Sequence, residues 1–592
     1  MKPGQMDVDR TAFVPPHEGD TVLPLSPFFT RLLLHAQQNP PRLAIRDVHL
    51  GIEKNYLQFL TDAIMFRNHL RGSLRQETLK ALKKREEVYV ALIAAGGYEY
   101  AVGFVAIAAL GAAVVPIAVT LPVHEATYFV QKACCVAIVV SSPASPLGIS
   151  LSSHLSKTLG MHIPCLPVAE HFQAATLNPD EITLSSDGYL PDNSAGLVIF
   201  TSGTTGRPKG AVMRRGYLHE GCEPLISHFR IKKTDVVLHV LPVHHATGIG
   251  ITFLPFIYAG ACVEYRSGSV DVAWLWERWR KGGIDLFSGV PTIYMRMMRH
   301  FEQKISPLPP AQAQEYIKGA RSIRALICGT SALPTPVAQF WTKVLGGRRR
   351  IMTRYGATEI GPVLTAALGG EEDVPEGSVG PVLPGVTVKL TDGDEGELLV
   401  KSPYMFAKYL FDPAATKSAH DEAGFFKSGD IARRERDPIT GKTDYFILGR
   451  ASIDIIKSGG YKLSALDIER EILGLPYVAE AMVVGVPDEE FGQRVGAVLV
   501  LREEQGVYKA GSSNSSPGAR DTRRDFTIYD LRNDLRDKLA GYKLPTLLRV
   551  IEGELPKSGT GKVVKKVLGP QYFSADYTKN KQVQVWRREA KI

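Results

Sequence analysis

The sequence predicts an α/β fold, with a large N-terminal domain of parallel-rich sheets covered by helices and a small α+β C-terminal domain. Three observations carry this. Apolar runs of strand character alternate with helical stretches over roughly the first 400 residues, the rhythm of parallel strands joined by crossover helices. The chain has 592 residues, more than one hydrophobic core accommodates, so at least two domains are needed. After Gly449-Arg450 the rhythm changes to a helix from Ala465, a strand over Glu480–Gly485, a helix from Thr527 and a strand over Leu548–Ile551. The boundary is set there, residues 1–449 preceding residues 450–592.

The elements follow in order. Val88–Ala94, Ala137–Val140, Val236–Val240, Ala261–Tyr265 and Arg324–Cys328 read as buried strands, being short apolar runs bounded by turn residues. Ala101–Val123 carries no charge and is long enough to span a bilayer. Gly111, Pro116 and Pro122 interrupt it, so it reads as a buried helix, a turn at Gly111 and a strand over Ala112–Ile117. No transmembrane segment is expected. Ser141–Lys157 is rich in Ser and Pro and is assigned to a surface loop. Glu503–Asp525 contains Gly511-Ser512-Ser513-Asn514-Ser515-Ser516-Pro517-Gly518, a solvated insertion. There is no internal repeat.

Composition narrows the class. Hydrophobic residues make up 44% and charged residues 22%, ordinary for a globular protein. The net charge of +9 suits polyanionic small molecules. No block of Arg and Lys and no reader motif is present, so nucleic acid is not an expected partner. The six cysteines form no CxxC pair, which fits a reducing compartment with free thiols. The first twenty residues lack an apolar core and include Asp7 and Asp9, which argues against a secretory or transit peptide. The final Ala590-Lys591-Ile592 has the small-basic-aliphatic pattern of a peroxisomal address. The expected location is peroxisomal or cytoplasmic, not secreted.

The chemistry concentrates in Thr201-Ser202-Gly203-Thr204-Thr205-Gly206-Arg207-Pro208-Lys209-Gly210. Glycine lets the backbone N–H groups approach an anion, hydroxyls add donors, and Lys209 adds a mobile charge. Leu197–Phe200 reads as the buried strand feeding this phosphate-gripping loop. It is not the loop of ordinary NTPases, because Arg207 and Pro208 separate Gly206 from Lys209. Gly559-Thr560-Gly561-Lys562 lacks a glycine at position 556, so it is not one either.

Further segments follow in register: Arg354-Tyr355-Gly356-Ala357-Thr358-Glu359, Lys427-Ser428-Gly429-Asp430, Leu448-Gly449-Arg450, Ile456-Lys457-Ser458-Gly459-Gly460-Tyr461-Lys462 and Pro556-Lys557-Ser558-Gly559-Thr560-Gly561-Lys562. Together they resemble the adenylate-forming superfamily of acyl-CoA synthetases, adenylation domains and luciferases, from about residue 25 to about residue 570. Among these, the segments around Leu238–Pro242, Gly289–Tyr294, Arg354–Gly356 and Ser452–Lys457 most resemble malonyl-CoA synthetases.

The resemblance implies ATP, Mg²⁺ and CoA as cofactors. In it, Thr201 to Lys209 hold the β- and γ-phosphates, Glu359 holds Mg²⁺ and Thr358 bonds the α-phosphate. Asp430 takes the ribose hydroxyls, with Arg450 beside the nucleotide. Tyr355 and Gly356 lie on adenine, opposite Gly329, Thr330 and Ser331. Lys562 is the catalytic lysine that bridges the carboxylate and the α-phosphate. The small domain then swivels to bring Gly459, Gly460 and Tyr461 to a thiol tunnel. His245 aligns with a gating histidine beside the acid, and Arg354 can clamp a second carboxylate bidentately. The chain departs from the pattern at Ser452, where relatives often carry Asp or Lys as pivot, and at Thr247, where malonate enzymes usually show a second histidine.

The expected function is thus an ATP-dependent acid–CoA ligase, with a small dicarboxylic acid such as malonate favoured. The alternatives are transfer to a separate carrier protein and a CoA ligase for a medium-chain or aromatic acid of fatty-acid or secondary metabolism.

Overall fold

The computed structural model describes residues 19–185, 191–201, 207–370, 373–459, 461–502, 508–509, 524–557, 563–574 and 576–587. Two large sheets form the first part. One has seven strands, in the spatial order 408–409, 209–214, 195–201, 113–117, 89–93, 138–140 and 165–167. From 195–201 onward its neighbours run parallel, while the 209–214 and 408–409 strands are antiparallel additions. The other has eight strands, with a parallel centre from 43–47 through 352–357 and antiparallel strands at both edges.

The uncharged stretch divides as its glycine and prolines demand. Tyr98–Leu110 is a helix buried on every side, and Gly111 ends it at φ +89°, the left-handed cap that glycine adopts without a Cβ penalty. The chain then enters the Ala113–Ile117 strand. Among the described residues, no helix is long and apolar enough to cross a membrane.

Ser141–Lys157 is not a loop. After a short 3₁₀ turn, Ser145–Leu159 is an α-helix with Pro146 in its first turn, a position where proline costs no hydrogen bond. Gly148, Leu151 and Leu155 are buried along one side, and that three-and-four spacing outweighs the serines on the outer face.

A four-stranded antiparallel sheet follows, in the order 387–390, 395–401, 426–436 and 443–450. The residues after it build a mixed sheet around the 478–488 and 492–501 hairpin. The helices Ala465–Leu473, Ile528–Leu535 and Lys565–Tyr572 accompany it. Two apolar clusters hold this last part together, and all their members follow Ile456 in the chain or are Ile456 itself.

Candidate active site

A cleft of about 1660 Å³ runs between the sheets and the C-terminal elements. Thr201, Lys209, Arg354, Glu359, Asp430 and Arg450 all line it, so residues spread over 250 positions of sequence converge on one space. Thr201 stands directly opposite Lys209 on antiparallel strands. Ser202, Gly203, Thr204, Thr205 and Gly206 lie outside the described residues.

Glu359 sits beside Thr201. Its Oε1 accepts from the hydroxyls of Tyr409 at 3.1 Å and Thr201 at 3.3 Å. Among the described residues it makes no ion pair. A carboxylate held by neutral donors fits a hard cation such as Mg²⁺, which takes carboxylate and phosphate oxygens. The sequence reading missed Tyr409, which also lies under Lys209 with the ammonium 5.2 Å from its ring centroid. Its strand is only two residues long and carries no local signal.

The residues expected at the nucleotide gather on three elements. Tyr355 and Gly356 lie on the Met352–Ala357 strand, and Thr358 follows it at the cleft wall. A Cβ on Gly356 would stand 2.3 Å from the Gly361 carbonyl oxygen, so only glycine allows the antiparallel edge to close there. The Tyr355 hydroxyl donates to Asp430 Oδ2 at 2.6 Å, and Arg450 Nε approaches Asp430 Oδ1 at 3.0 Å. Burial together with the Asp430 charge pushes the Tyr355 phenol well above its ordinary range. Asp430 and Arg450 stand directly opposite each other on neighbouring strands, a pairing that no local pattern reveals. Each carboxylate oxygen offers about two acceptor positions, so these bonds leave capacity for ribose hydroxyls.

Gly329, Thr330 and Ser331 follow the Ala325–Cys328 strand. Thr330 adopts φ +78°, an outlier for a β-branched residue costing about 1–3 kcal/mol. Strain of that kind clusters at functional sites.

Arg354 is next. Among the described residues its Nε and Nη2 are buried without a hydrogen-bond partner, and the residue lines the cleft. Burial pulls the guanidinium down to about 10, with Cys328 and Tyr217 opposing, so it stays charged at neutral pH. His245 caps the short Ala246–Gly250 helix, its Nδ1 accepting from the Thr247 amide at 3.4 Å. Both line the cleft, as does His244, which burial holds toward its neutral form.

Two residues expected at the thiol tunnel, Gly459 and Tyr461, are not brought to the cleft. Gly459 ends a strand at φ +55°. Tyr461 is 54% exposed and stacks on Tyr542, with centroids 4.5 Å apart. Neither Gly459 nor Tyr461 lines the cavity. Gly460 and Lys562 lie outside the described residues, although Lys557 and Val563 on either side of the Lys562 segment form an antiparallel bridge and line the cleft.

Residues 35–410 match the family model described as AMP-binding enzyme, and residues 467–562 match that of the AMP-binding enzyme C-terminal domain. The chain is an AMP-binding enzyme. Acyl-CoA ligase oryP of Aspergillus oryzae is 31% identical over 557 residues, 93% of each chain. The mitochondrial malonate–CoA ligase of Homo sapiens is 34% identical over 460 residues, 72% of this chain and 73% of that one. The crystal structure of ATP-bound MatB from Rhodopseudomonas palustris superposes with a TM-score of 0.71 at 25% identity, covering 92% of this chain and 99% of that one. This AMP-binding enzyme is therefore an AMP-forming acyl-CoA ligase of α/β fold, with a large N-terminal and a smaller C-terminal domain. It uses ATP, Mg²⁺ and CoA on a small-molecule carboxylic acid.

Proposed function

We propose that the acid is a small dicarboxylate, malonate foremost. The observation that carries this is Arg354, a charged side chain lining the cleft with two buried nitrogens that lack partners among the described residues. A buried charge is costly unless paired, and a second carboxylate supplies the missing partner in the bidentate geometry a guanidinium prefers. Relatives named malonate–CoA ligase support the same reading.

In this reading the first carboxylate attacks the α-phosphorus of ATP, and the bond to pyrophosphate breaks. Positioning and charge stabilisation supply most of such catalysis. Thr201 to Lys209 hold the phosphates, Thr358 bonds the α-phosphate, and Lys562 meets the charge that develops between acid and phosphate. Asp430 and Arg450 fix the ribose end, and Tyr355 with Gly356 faces adenine across from Gly329 to Ser331. Glu359 would hold Mg²⁺, which would supply charge neutralisation at the phosphates. His245 borders the acid. In the second step the CoA sulfur attacks the acyl carbonyl, AMP leaves, and the thiol proton passes to solvent.

The exposed position of Tyr461 supports a swivel of residues 450–592 between the two steps, bringing Gly459, Gly460 and Tyr461 to the thiol. The separate apolar clusters of this part support the boundary at residue 450. For location, Ala590-Lys591-Ile592 alone supports a peroxisomal address; fusing a folded tag after Ile592 should block import if it is read.

A panel of acids tests the substrate. Malonate and methylmalonate should exceed propionate and butyrate by about 100-fold or more in kcat/KM, the scale set by an unpaired buried charge. Preference for a long-chain or aromatic monoacid, or for a holo-carrier over CoA, overturns the reading.

A further inference from the structure

Lys565 stands three residues after Lys562, at the first position of the Lys565–Tyr572 helix. Its Nζ lies 2.7 Å from Asp454 Oδ1 and 2.7 Å from Glu469 Oε1. All three side chains are nearly buried, at 11–13% exposure, and all three line the cleft. They come from different elements: the tail helix, the turn after Arg450 and the Ala465–Leu473 helix.

Each carboxylate is tied again. Asp454 Oδ2 accepts from the Arg450 amide at 3.0 Å, and Glu469 Oε1 accepts from the Val483 amide at 2.6 Å. Asp454 also packs on Gly449, where a Cβ would stand 2.4 Å from its own. A continuous chain of contacts therefore runs from Asp430 through Arg450 to Asp454 and on to Lys565. It begins on the antiparallel sheet and ends at the first residue of the tail helix, three positions after Lys562 in sequence. Burial alone would lower the Lys565 ammonium, but Glu469 and Asp454 outweigh it and raise it, so it remains charged.

We infer that Lys565 is a positioning residue for adenylation: clamped by Asp454 and Glu469, it ties the tail helix, which begins three residues after Lys562 in the chain, to the turn on which the small domain swivels. The inference rests on the proposed role of Lys562. It also answers the departure at Ser452. The pivot turn of this chain has no charge at that position, and its charged contact is made two residues later, at Asp454. Ion pairs of this kind are all-or-none, because breaking one leaves a nearly buried charge without its partner. Two partners on two elements fix direction, which a single contact does not.

The test uses the full-length enzyme with the acid it turns over best. ATP–pyrophosphate exchange reports adenylation, and thioester formation from supplied acyl-adenylate reports the second step. Lys565→Met should slow adenylation about 10–100-fold, with the KM for ATP and the second step within about twofold of wild type. Lys565→Arg should restore adenylation to within about threefold of wild type. Asp454→Asn, which keeps the side-chain volume, should reproduce the split. Combined with Lys565→Met it should add little, since both remove one contact. Unchanged adenylation in Lys565→Met, or equal losses in both steps that Lys565→Arg does not relieve, overturns the inference. If Lys565→Met does not fold, Asp454→Asn decides on the same criterion. Lys562→Ala run in parallel separates the two readings. Loss of adenylation there but not in Lys565→Met sinks only the positioning role, whereas intact adenylation in Lys562→Ala sinks the reading beneath it.

Discussion

Arg354 packs against Gly329, and a Cβ on that glycine would come within 2.8 Å of the guanidinium carbon. The glycine is therefore required for space beside the arginine. Gly329→Ala should push Arg354 out of register with the acid while leaving its charge in the cleft. We expect kcat/KM for the preferred diacid to fall about 10–100-fold, because a displacement on the ångström scale costs that much in catalysis. The KM for ATP should change less than the KM for the acid. Pyrophosphate exchange at varied acid and ATP measures both, and an effect confined to ATP would place Gly329 in nucleotide binding alone.

Asp430 should report on ATP and not on the fold. It already accepts from Tyr355 and pairs with Arg450, so Asp430→Asn keeps its shape and removes its charge. Losing charge-assisted bonds to ribose costs about 1.5–3 kcal/mol, about 10–150-fold in the KM for ATP. Tyr355→Phe removes one 2.6 Å bond but keeps the ring, and should cost less. Should Asp430→Asn instead lower the melting temperature sharply with ATP binding unchanged, the carboxylate serves only to join the two strands.

Local pattern made some of this site readable and left the rest hidden. Gly111 and the prolines fixed the fate of the uncharged stretch because each acts on its own backbone. The strand leading to Thr201 was readable from the apolar run Leu197–Phe200. Asp430 opposite Arg450 was not readable as a pair, since the register of antiparallel strands is set by the whole sheet. Tyr409 beneath Lys209 depends on one tertiary contact. At Ser141–Lys157 the composition of serines and prolines misled, because the buried Leu151 and Leu155 on one helical face decide the structure. That two Arg354 nitrogens lack partners among the described residues could be learned only from the packed chain.

His239 makes stability depend on acid. It is 1% exposed, with Nε2 facing the Leu241 carbonyl at 3.0 Å and Nδ1 facing the Thr252 hydroxyl at 2.8 Å. Burial lowers it from 6.5 to about 4. Between those values the unfolded chain binds a proton that the folded chain refuses, so stability falls as pH falls. The full effect is about 3 kcal/mol, reached near pH 4 and absent above about 6.5. Denaturant melts of wild type and His239→Gln should diverge in slope between about pH 6.5 and 5, where carboxylates have little to add. Parallel slopes would show that His239 is charged within the fold.

Arg354→Leu is the sharpest test of substrate choice. The wild-type guanidinium lines the cleft with two buried nitrogens that have no hydrogen-bond partner among the described residues, and a diacid brings it an anion while a monoacid of equal length does not. Leaving a buried charge unpaired costs on the order of 3–5 kcal/mol, so wild type should favour diacids by about 100-fold or more. Leucine removes both the charge and its demand for a partner. The variant should lose malonate-like acids and gain butyrate-like ones, inverting the ratio of kcat/KM. ATP–pyrophosphate exchange with paired acids measures that ratio, and the KM for ATP in each variant controls for damage to the neighbouring Tyr355. If both acids slow equally, Arg354 supports the cleft without reading the acid. If wild type already prefers the monoacid, the dicarboxylate proposal is wrong, and the unpaired nitrogens of Arg354 serve another anion bound in the same cleft.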